Sequence, residues 1–273
     1  MNAPFFSKKS DWQTVSVVPS FSGGKDSTYL VLRLHEFGIK MTDIVYFDTG
    51  WEFSGMDAHI AQVEDIIKQK ITRLVPRENF DFLLARKVRT RNIKNTRRGY
   101  GWPSAMRRWC PGEKTRAINA YANCLTWQGL TLPVVQCLGY AFDEPKRIEK
   151  HKAKKIPRFQ SYAYPMVEWE ISEVHALEYC KERGLFWDGL YDIFDRVSCW
   201  CCPLGGISHA EKLYRHFPAL WQRMLEMESW LPEQHRRYAG KYTVSDLDRR
   251  FYRKEFDSLI KKPASPAPQP SAA

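Results

Sequence analysis

The sequence predicts an α/β protein in which a parallel, doubly wound sheet is flanked by helices and followed by a helical C-terminal appendage. Two observations lead to this fold class. Short apolar strand patterns alternate with helical patterns over the first half of the chain, and such alternation is typical of parallel crossovers. From 209 to 260 the pattern is helical throughout, with breaks at Pro218, Pro232 and Gly240.

The predicted elements follow in chain order. The first half has strands at 14–18, 44–47 and 72–75, with helices between them through 29–34, which Gly38 ends, and over 56–70. The second half has a helix at 113–124, a strand at 132–139 and a helix at 171–183 that Gly184 ends. Two loops, 22–24 and 48–50, fall at the carboxyl ends of strands, where parallel α/β sheets bind ligands.

The composition bounds the class of protein. The 273 residues are 44% hydrophobic and 14% aromatic, which excludes a disordered chain over most of the length. The sequence has no apolar run of the roughly 18 residues needed for a membrane span and no apolar signal segment, so we expect a cytoplasmic protein. We expect a nucleotide-binding domain at 1–205, a helical region at 206–262, and a disordered Pro-rich tail at 263–273.

The charge is strongly positive and unevenly distributed. The formal net charge is +11, and basic residues concentrate in segments 86–116 and 146–158. One interpretation is a pair of solvated loops. The other is a channel for the phosphates of a nucleotide or nucleic acid.

The sequence Ser22-Gly23-Gly24-Lys25-Asp26-Ser27 lies between the first strand and the first helix. Two glycines allow close backbone approach to a phosphate, and the helix start attracts its charge. Lys25 adds a cation, and Asp26 is a candidate Mg²⁺ ligand. The loop matches neither the Walker A nor the dinucleotide-binding pattern. A Gly-rich turn with an incidental lysine is the alternative.

The seven cysteines fall into two groups. Cys124, Cys137 and Cys180 sit in apolar patterns and are predicted to be core residues. The sequence Cys199-Trp200-Cys201-Cys202 instead places three thiols in four residues, and the Cys199 and Cys202 spacing suits a metal or cluster. A buried turn around Trp200 is the alternative.

These motifs resemble a known family. The loop at 22–27 matches the S-G-G-x-D-S loop of the ATP pyrophosphatase superfamily, also called the PP-loop superfamily. Asp48-Thr49-Gly50 with Glu52 resembles the second-strand element of its phosphoadenosine phosphosulfate (PAPS) reductase-like branch. Gly139, Glu144 and Arg147 are similar to a later element of that branch, although Ala141 and Pro145 depart from it. Cys110 resembles the upstream cysteine of the family.

The resemblance implies a Rossmann-like PP-loop fold, a set of site residues and their ligands. The implied catalytic residues are Lys25, Asp26 and Asp48. The residues implied to bind ATP or a related adenine nucleotide with Mg²⁺ are Ser22, Gly23, Gly24, Lys25, Asp26, Ser27, Asp48, Thr49, Gly50, Gly139, Glu144 and Arg147. The residues implied to ligate a [4Fe-4S] cluster, or alternatively Zn²⁺, are Cys110, Cys199, Cys201 and Cys202.

The resemblance implies an enzyme that cleaves ATP between the α- and β-phosphates, adenylates a substrate and replaces the activated oxygen with sulfur. The implied acceptor is tRNA or DNA, contacted through segments 86–116 and 146–158. A sulfonucleotide (PAPS) reductase is the first alternative, although the chain has no cysteine after Cys202 to match the family's C-terminal catalytic cysteine. A non-catalytic, nucleotide-dependent nucleic-acid-binding protein is the second.

Overall fold

The computed structural model describes residues 12–90, 96–104, 106–127, 133–153, 160–197 and 199–260. The chain divides into two compact units. The first unit combines Met1–Leu83 with Met106–Cys202, and the second combines Leu84–Ala105 with Pro203–Ala273. Among the described helices, none is both long enough and apolar enough to cross a membrane.

The strands are β1 Ser16–Phe21, β2 Val45–Phe47, β3 Thr72–Leu74, β4 Val88–Thr90, β5 Thr96–Arg98, β6 Val134–Leu138, β7 Gln160–Ala163, β8 Arg237–Ala239 and β9 Tyr242–Thr243. The helices are α1 Lys25–Glu36, α2 Gly55–Ile67, α3 Phe80–Ala85, α4 Trp109–Trp127, α5 Pro145–Lys152, α6 Pro165–Glu168, α7 Glu173–Glu182, α8 Leu190–Ile193, α9 Gly206–His216, α10 Pro218–Ser229 and α11 Val244–Ile260. A 3-10 turn at Trp187–Gly189 precedes α8.

The first unit contains a five-stranded sheet in the order β3-β2-β1-β6-β7, and every pairing in it is parallel. The central strand β1 is almost wholly buried, as its β-branched sequence predicts. The predicted α/β fold with a parallel sheet is therefore confirmed. The strand order reverses between β1 and β6, and ligands bind at such a point in open α/β sheets.

The second unit contains helices α9, α10 and α11, but the prediction of helix throughout 209–260 is wrong at 237–243. There β8 and β9 form an antiparallel hairpin. Gly240 has a φ of +59° at its turn, a conformation that glycine adopts without steric cost. Tyr238 and Ala239 of β8 are buried, so packing favours a strand there although the local pattern suggested a helix.

The three cysteines predicted to be core residues differ in burial. Cys137 and Cys180 are fully buried, which confirms that prediction, whereas Cys124 is exposed. Ile118 and Ala122 form the buried face of α4. Cys124 lies two residues beyond Ala122, about 200° around the helix, and therefore on the opposite face.

Candidate nucleotide and thiolate sites

The loop after β1 is closed by hydrogen bonds between its two ends. The Ser22 N–H donates to Ser27 Oγ over 3.0 Å, and the two hydroxyl oxygens are also 3.0 Å apart. Ser27 Oγ in turn donates to the Gly24 carbonyl over 2.9 Å. Gly23 has a φ of +76°, which favours glycine there. The loop thus has a fixed, tight path before α1 begins.

Lys25, the first residue of α1, is held by partners that the sequence did not reveal. Its side chain is buried, and Nζ lies 2.5 Å from Glu173 and 3.4 Å from Asp26. Its backbone N–H donates to the Tyr191 hydroxyl over 2.8 Å. The loop lysine is therefore fixed from two sides within the first unit.

Asp26 carries a carboxylate in an unusual environment. Burial raises its pKa to about 6, with a further rise from the nearby Glu173 and Glu144 carboxylates, while Lys25 opposes the rise. Asp26 Oδ1 is buried and has no hydrogen-bond partner among the described residues. The Lys25 ammonium lies 3.4 Å from this oxygen, and a buried carboxylate oxygen without a hydrogen bond is costly unless a cation or donor completes it. Its chemistry fits a hard cation such as Mg²⁺.

The loop after β2 is organised by its own carboxylates. Asp48 Oδ1 accepts the Gly50 N–H over 2.8 Å, and Gly50 has a φ of +75°. Glu52 accepts hydrogen bonds from the Thr49 hydroxyl at 2.7 Å and from the backbone N–H groups of Thr49 and Trp51. Glu52 therefore holds the loop in shape, and burial raises the pKa of its carboxyl.

The end of β6 approaches the phosphate loop closely. A Cβ on Gly139 would lie 3.0 Å from both the Asp26 carbonyl oxygen and the Ser27 nitrogen, so this position has little room for a side chain. Further along, Glu144 and Arg147 form an ion pair at 2.7 Å. The Arg147 guanidinium also lies over the Tyr140 ring at 4.4 Å. The predicted Gly139, Glu144 and Arg147 thus lie at or near the loop.

The phosphate loop rests on buried aromatic side chains. Trp187 donates its indole N–H to the Gly23 carbonyl over 2.6 Å. His59 stacks on Trp187 with ring centroids 4.4 Å apart, and its Nε2 is 3.0 Å from Thr28 Oγ1. Burial lowers the pKa of His59 to about 3, so the folded protein holds this imidazole neutral.

This neutral histidine predicts a pH dependence of stability. The unfolded chain binds a proton near pH 6.5, which folded His59 does not bind until about pH 3. The stabilisation of the folded state by neutral His59 is therefore fully present above pH 6.5 and decreases as the pH drops below that value. We expect His59 to remove about 1.4 kcal/mol from the unfolding free energy between pH 7.5 and pH 5.5.

Urea denaturation at both pH values measures this loss. The His59→Gln variant should not show this decrease in unfolding free energy, whereas the His35→Gln variant, at an exposed histidine, should show it as the wild type does. An equal pH dependence in wild type and His59→Gln would contradict the assignment.

The candidate metal ligands Cys110, Cys199, Cys201 and Cys202 are neighbours in the first unit. Burial raises the pKa of Cys110, and the thiols of Cys199 and Cys202 raise it further. Burial also raises the pKa of Cys201, and the thiols of Cys199, Cys202 and Cys110 raise it further. Mutual influence of this kind requires short separations. These influences indicate proximity, and the assignment of the four thiols to one metal site stays a prediction.

Aromatic residues hold the cysteine segments against the loop after β2. The backbone N–H of Trp200 donates to the backbone carbonyl of Trp51 over 2.9 Å. The ring of Trp109, next to Cys110, packs edge to face on the Trp51 ring with centroids 5.9 Å apart. Cys199 Sγ lies 3.5 Å from the Thr49 hydroxyl. The thiols thus adjoin the end of β2.

The set of four thiol donors fits a soft metal or an iron–sulfur cluster in chemistry. Within the described parts of the chain, however, no three His, Cys, Asp or Glu side chains already stand in a metal-holding arrangement. Lys114, about one turn beyond Cys110 in α4, is a further neighbour that the sequence did not single out. Burial lowers the pKa of the Lys114 ammonium, whereas the side chains of Cys199 and Glu52 act to raise it.

The phosphate loop and the thiols are also connected through the chain between them. A Cβ on Gly24 would lie 3.4 Å from the Tyr191 hydroxyl and 3.6 Å from the Val197 carbonyl oxygen. Val197 precedes Cys199 by two residues. The segment that leads into the cysteine motif therefore packs on the phosphate loop.

The two predicted basic segments differ in placement. Segment 86–116 is shared between the two units, and segment 146–158 belongs to the first. Arg91, Lys94, Lys154, Lys155 and Arg158 lie outside the described residues.

Comparisons with known proteins do not assign the chain to a family. No protein-family model matches the chain. An uncharacterized protein of Methanocaldococcus jannaschii is 28% identical over 228 residues, which are 80% of this chain and 42% of that protein. The chain thus spans less than half the length of that relative. The U34-tRNA thiolase NcsA from Methanococcus maripaludis, solved with its [4Fe-4S] cluster, aligns with a TM-score of 0.40 and 14% identity, over 67% of this chain and 66% of that one. A TM-score this low supports no conclusion about this chain.

Proposed function

We propose that this protein is a PP-loop enzyme that cleaves ATP between the α- and β-phosphates, adenylates an oxygen of its acceptor and then exchanges that oxygen for sulfur. In the first step the acceptor oxygen bonds to the α-phosphorus, the bond from that phosphorus to the bridging oxygen breaks, and pyrophosphate leaves. In the second step a sulfide-level sulfur nucleophile bonds to the acceptor atom that carries the activated oxygen, the bond from that atom to the oxygen breaks, and AMP leaves. The observation that carries the proposal is the closed loop of Ser22 and Ser27, with the Lys25 ammonium beside a buried Asp26 oxygen that accepts no hydrogen bond at the start of α1.

Each loop residue has a role in this reaction. Gly23 and Gly24 allow the triphosphate to approach the backbone and the positive end of α1. Lys25 stabilises the negative charge that develops on the leaving pyrophosphate. Asp26 and Asp48 would hold Mg²⁺, which neutralises phosphate charge when bound. Glu144 and Arg147 extend the site beyond Gly139, where they contact the nucleotide.

The four cysteines would hold a [4Fe-4S] cluster, or Zn²⁺ as the alternative. A bound cluster would supply a site for sulfur, whereas bound zinc would be structural. Cys199 Sγ lies 3.5 Å from the Thr49 hydroxyl, and Asp48 precedes Thr49, so one thiol and one candidate Mg²⁺ ligand meet at the loop after β2. This adjacency supports sulfur delivery to an acceptor activated at the phosphate loop.

Nucleotide selectivity tests the proposal against the sulfonucleotide reductase alternative. Equilibrium dialysis should detect binding of ATP that strengthens with Mg²⁺, because the loop holds both a lysine and candidate Mg²⁺ ligands. PAPS should bind more weakly. Tight, Mg²⁺-independent binding of PAPS with no binding of ATP would favour the reductase.

Metal content is expected to depend on the clustered thiols. Anaerobically purified protein should contain about four irons and four sulfides, and Cys199→Ser should lose most of both. Cys124→Ser, at an exposed cysteine of α4, is the matched control and should retain them. One zinc without iron would contradict the cluster and leave adenylation on a zinc-stabilised fold.

A further inference from the structure

The net charge of the protein resides entirely in one unit. The first unit contains 23 basic and 23 acidic residues, whereas the second contains 19 basic and 8 acidic residues. The second unit therefore carries the whole +11 of the chain. A compact unit with this excess attracts polyanions at long range.

The hairpin of β4 and β5 concentrates this charge at an energetic cost. Arg89 lies directly opposite Arg97 in the antiparallel register, and Val88 opposite Arg98. Like charges directly opposite each other destabilise a strand pair. Segment 84–105 has seven basic residues and no acidic residue. The hairpin therefore lacks a local carboxylate that could offset the repulsion.

The cations of this hairpin are also incompletely satisfied. Arg97 and Arg98 are exposed, and neither forms an ion pair with any described residue. Arg89 donates from Nη2 to the Gly99 carbonyl over 2.8 Å and lies over the Tyr100 ring at 4.7 Å. Its Nε is buried without a described hydrogen-bond partner. Guanidinium groups in this state are suited to donate hydrogen bonds to phosphate oxygens.

Helix α11 repeats the pattern within the same unit. Arg250 and Arg253 are exposed and have no ion pair among the described side chains, while Tyr252 and Phe256 are 64% and 53% exposed. Exposed aromatic rings beside cations match a surface on which nucleic-acid bases stack while the backbone meets positive charge.

We infer that the second unit is a docking module for a polynucleotide backbone, with the β4–β5 hairpin as its principal phosphate contact. The inference deepens the proposed function, on which it rests for the identity of the acceptor. Twelve of the 19 basic residues of this unit are arginines, and arginine pairs bidentately with phosphate. Phosphates along a strand would relieve the repulsion between Arg89 and Arg97.

Binding of fluorescein-labelled 20-nucleotide RNA and DNA strands to the full-length protein, without ATP, tests the inference. Arg97→Gln with Arg98→Gln removes two exposed hairpin cations. Lys40→Gln with Lys70→Gln is the matched control, because it removes two exposed cations from the first unit outside both basic segments. The hairpin variant should bind at least about tenfold more weakly near 0.1 M salt. Its plot of log affinity against log salt should be shallower by about 1.4, or about 0.7 for each lost phosphate contact.

The RNA and DNA arms identify which polynucleotide the unit prefers, and tight binding of either supports the inference. Equal weakening in the two double variants would overturn it, since the charge would then act diffusely. Binding to phosphatidylserine vesicles but not to either strand would overturn it in favour of a membrane surface. Because the polynucleotide-binding test contains no ATP, a negative result in it does not affect the nucleotide selectivity test. A negative result in the nucleotide selectivity test likewise does not affect the polynucleotide-binding test.

Discussion

Lys25→Ala is expected to lower the rate of AMP and pyrophosphate formation at least about a hundredfold. Lys25 is the buried cation at the start of α1, fixed by Glu173 and by the hydrogen bond from its N–H to Tyr191. A preorganised charge facing a leaving phosphate stabilises the transition state without reorganisation. Its removal also leaves Glu173 and Asp26 without their shared partner, and their mutual repulsion adds to the loss.

The matched control is Lys68→Ala, at a lysine of the first unit whose side chain is 75% exposed. A quenched-flow or end-point assay of labelled pyrophosphate should detect no change in that variant. Pyrophosphate formation within about threefold of wild type in Lys25→Ala would remove the lysine from the mechanism.

Gly23→Ala is expected to weaken ATP binding at least about tenfold. Gly23 has a φ of +76°, and an added Cβ would lie 2.2 Å from Met56 Sδ. A non-glycine residue in this conformation costs about 1 to 2 kcal/mol. Met56 must also shift beneath the loop, and the amide groups that would face the phosphates shift with it.

Gly184→Ala separates the two effects of that change. Gly184 has a φ of +77°, but an added Cβ meets nothing within 4 Å. Both variants should therefore lose unfolding free energy to backbone strain, Gly23→Ala the more because Met56 must shift, whereas only Gly23→Ala should lose ATP affinity. Equal ATP binding in both variants would mean that the loop path does not set nucleotide affinity.

The sequence was sufficient to predict β1, β2, β3 and β6 of the sheet in the first unit, because their segments are mostly β-branched or apolar and the helices between them are periodic. It missed β7 at Gln160–Ala163 and the two hairpins. These strands have two to four residues in which the side chains are polar or a mixture of polar and apolar, and so short a segment of that composition carries no readable period. Their pairing depends on contacts with distant segments, and a local pattern does not contain them.

The candidate site was predicted only in part for a related reason. Motif residues such as Ser22, Lys25 and Cys199 are recognisable from their neighbours in the chain. Glu173 and Tyr191 contact Lys25 from 148 and 166 residues away, and no local spacing marks them. His59 and Trp187 likewise become visible as supports of the loop only once α2 and the 3-10 turn are packed together.

The identity of the bond broken in ATP tests the central claim most directly. Wild-type protein would be incubated with Mg²⁺ and ATP labelled separately at the α- and γ-phosphates, with bulk tRNA or sheared DNA as acceptor. The proposed function predicts labelled AMP, free or attached to the acceptor, and one pyrophosphate for each ATP consumed. Formation of ADP and inorganic phosphate would contradict cleavage between the α- and β-phosphates.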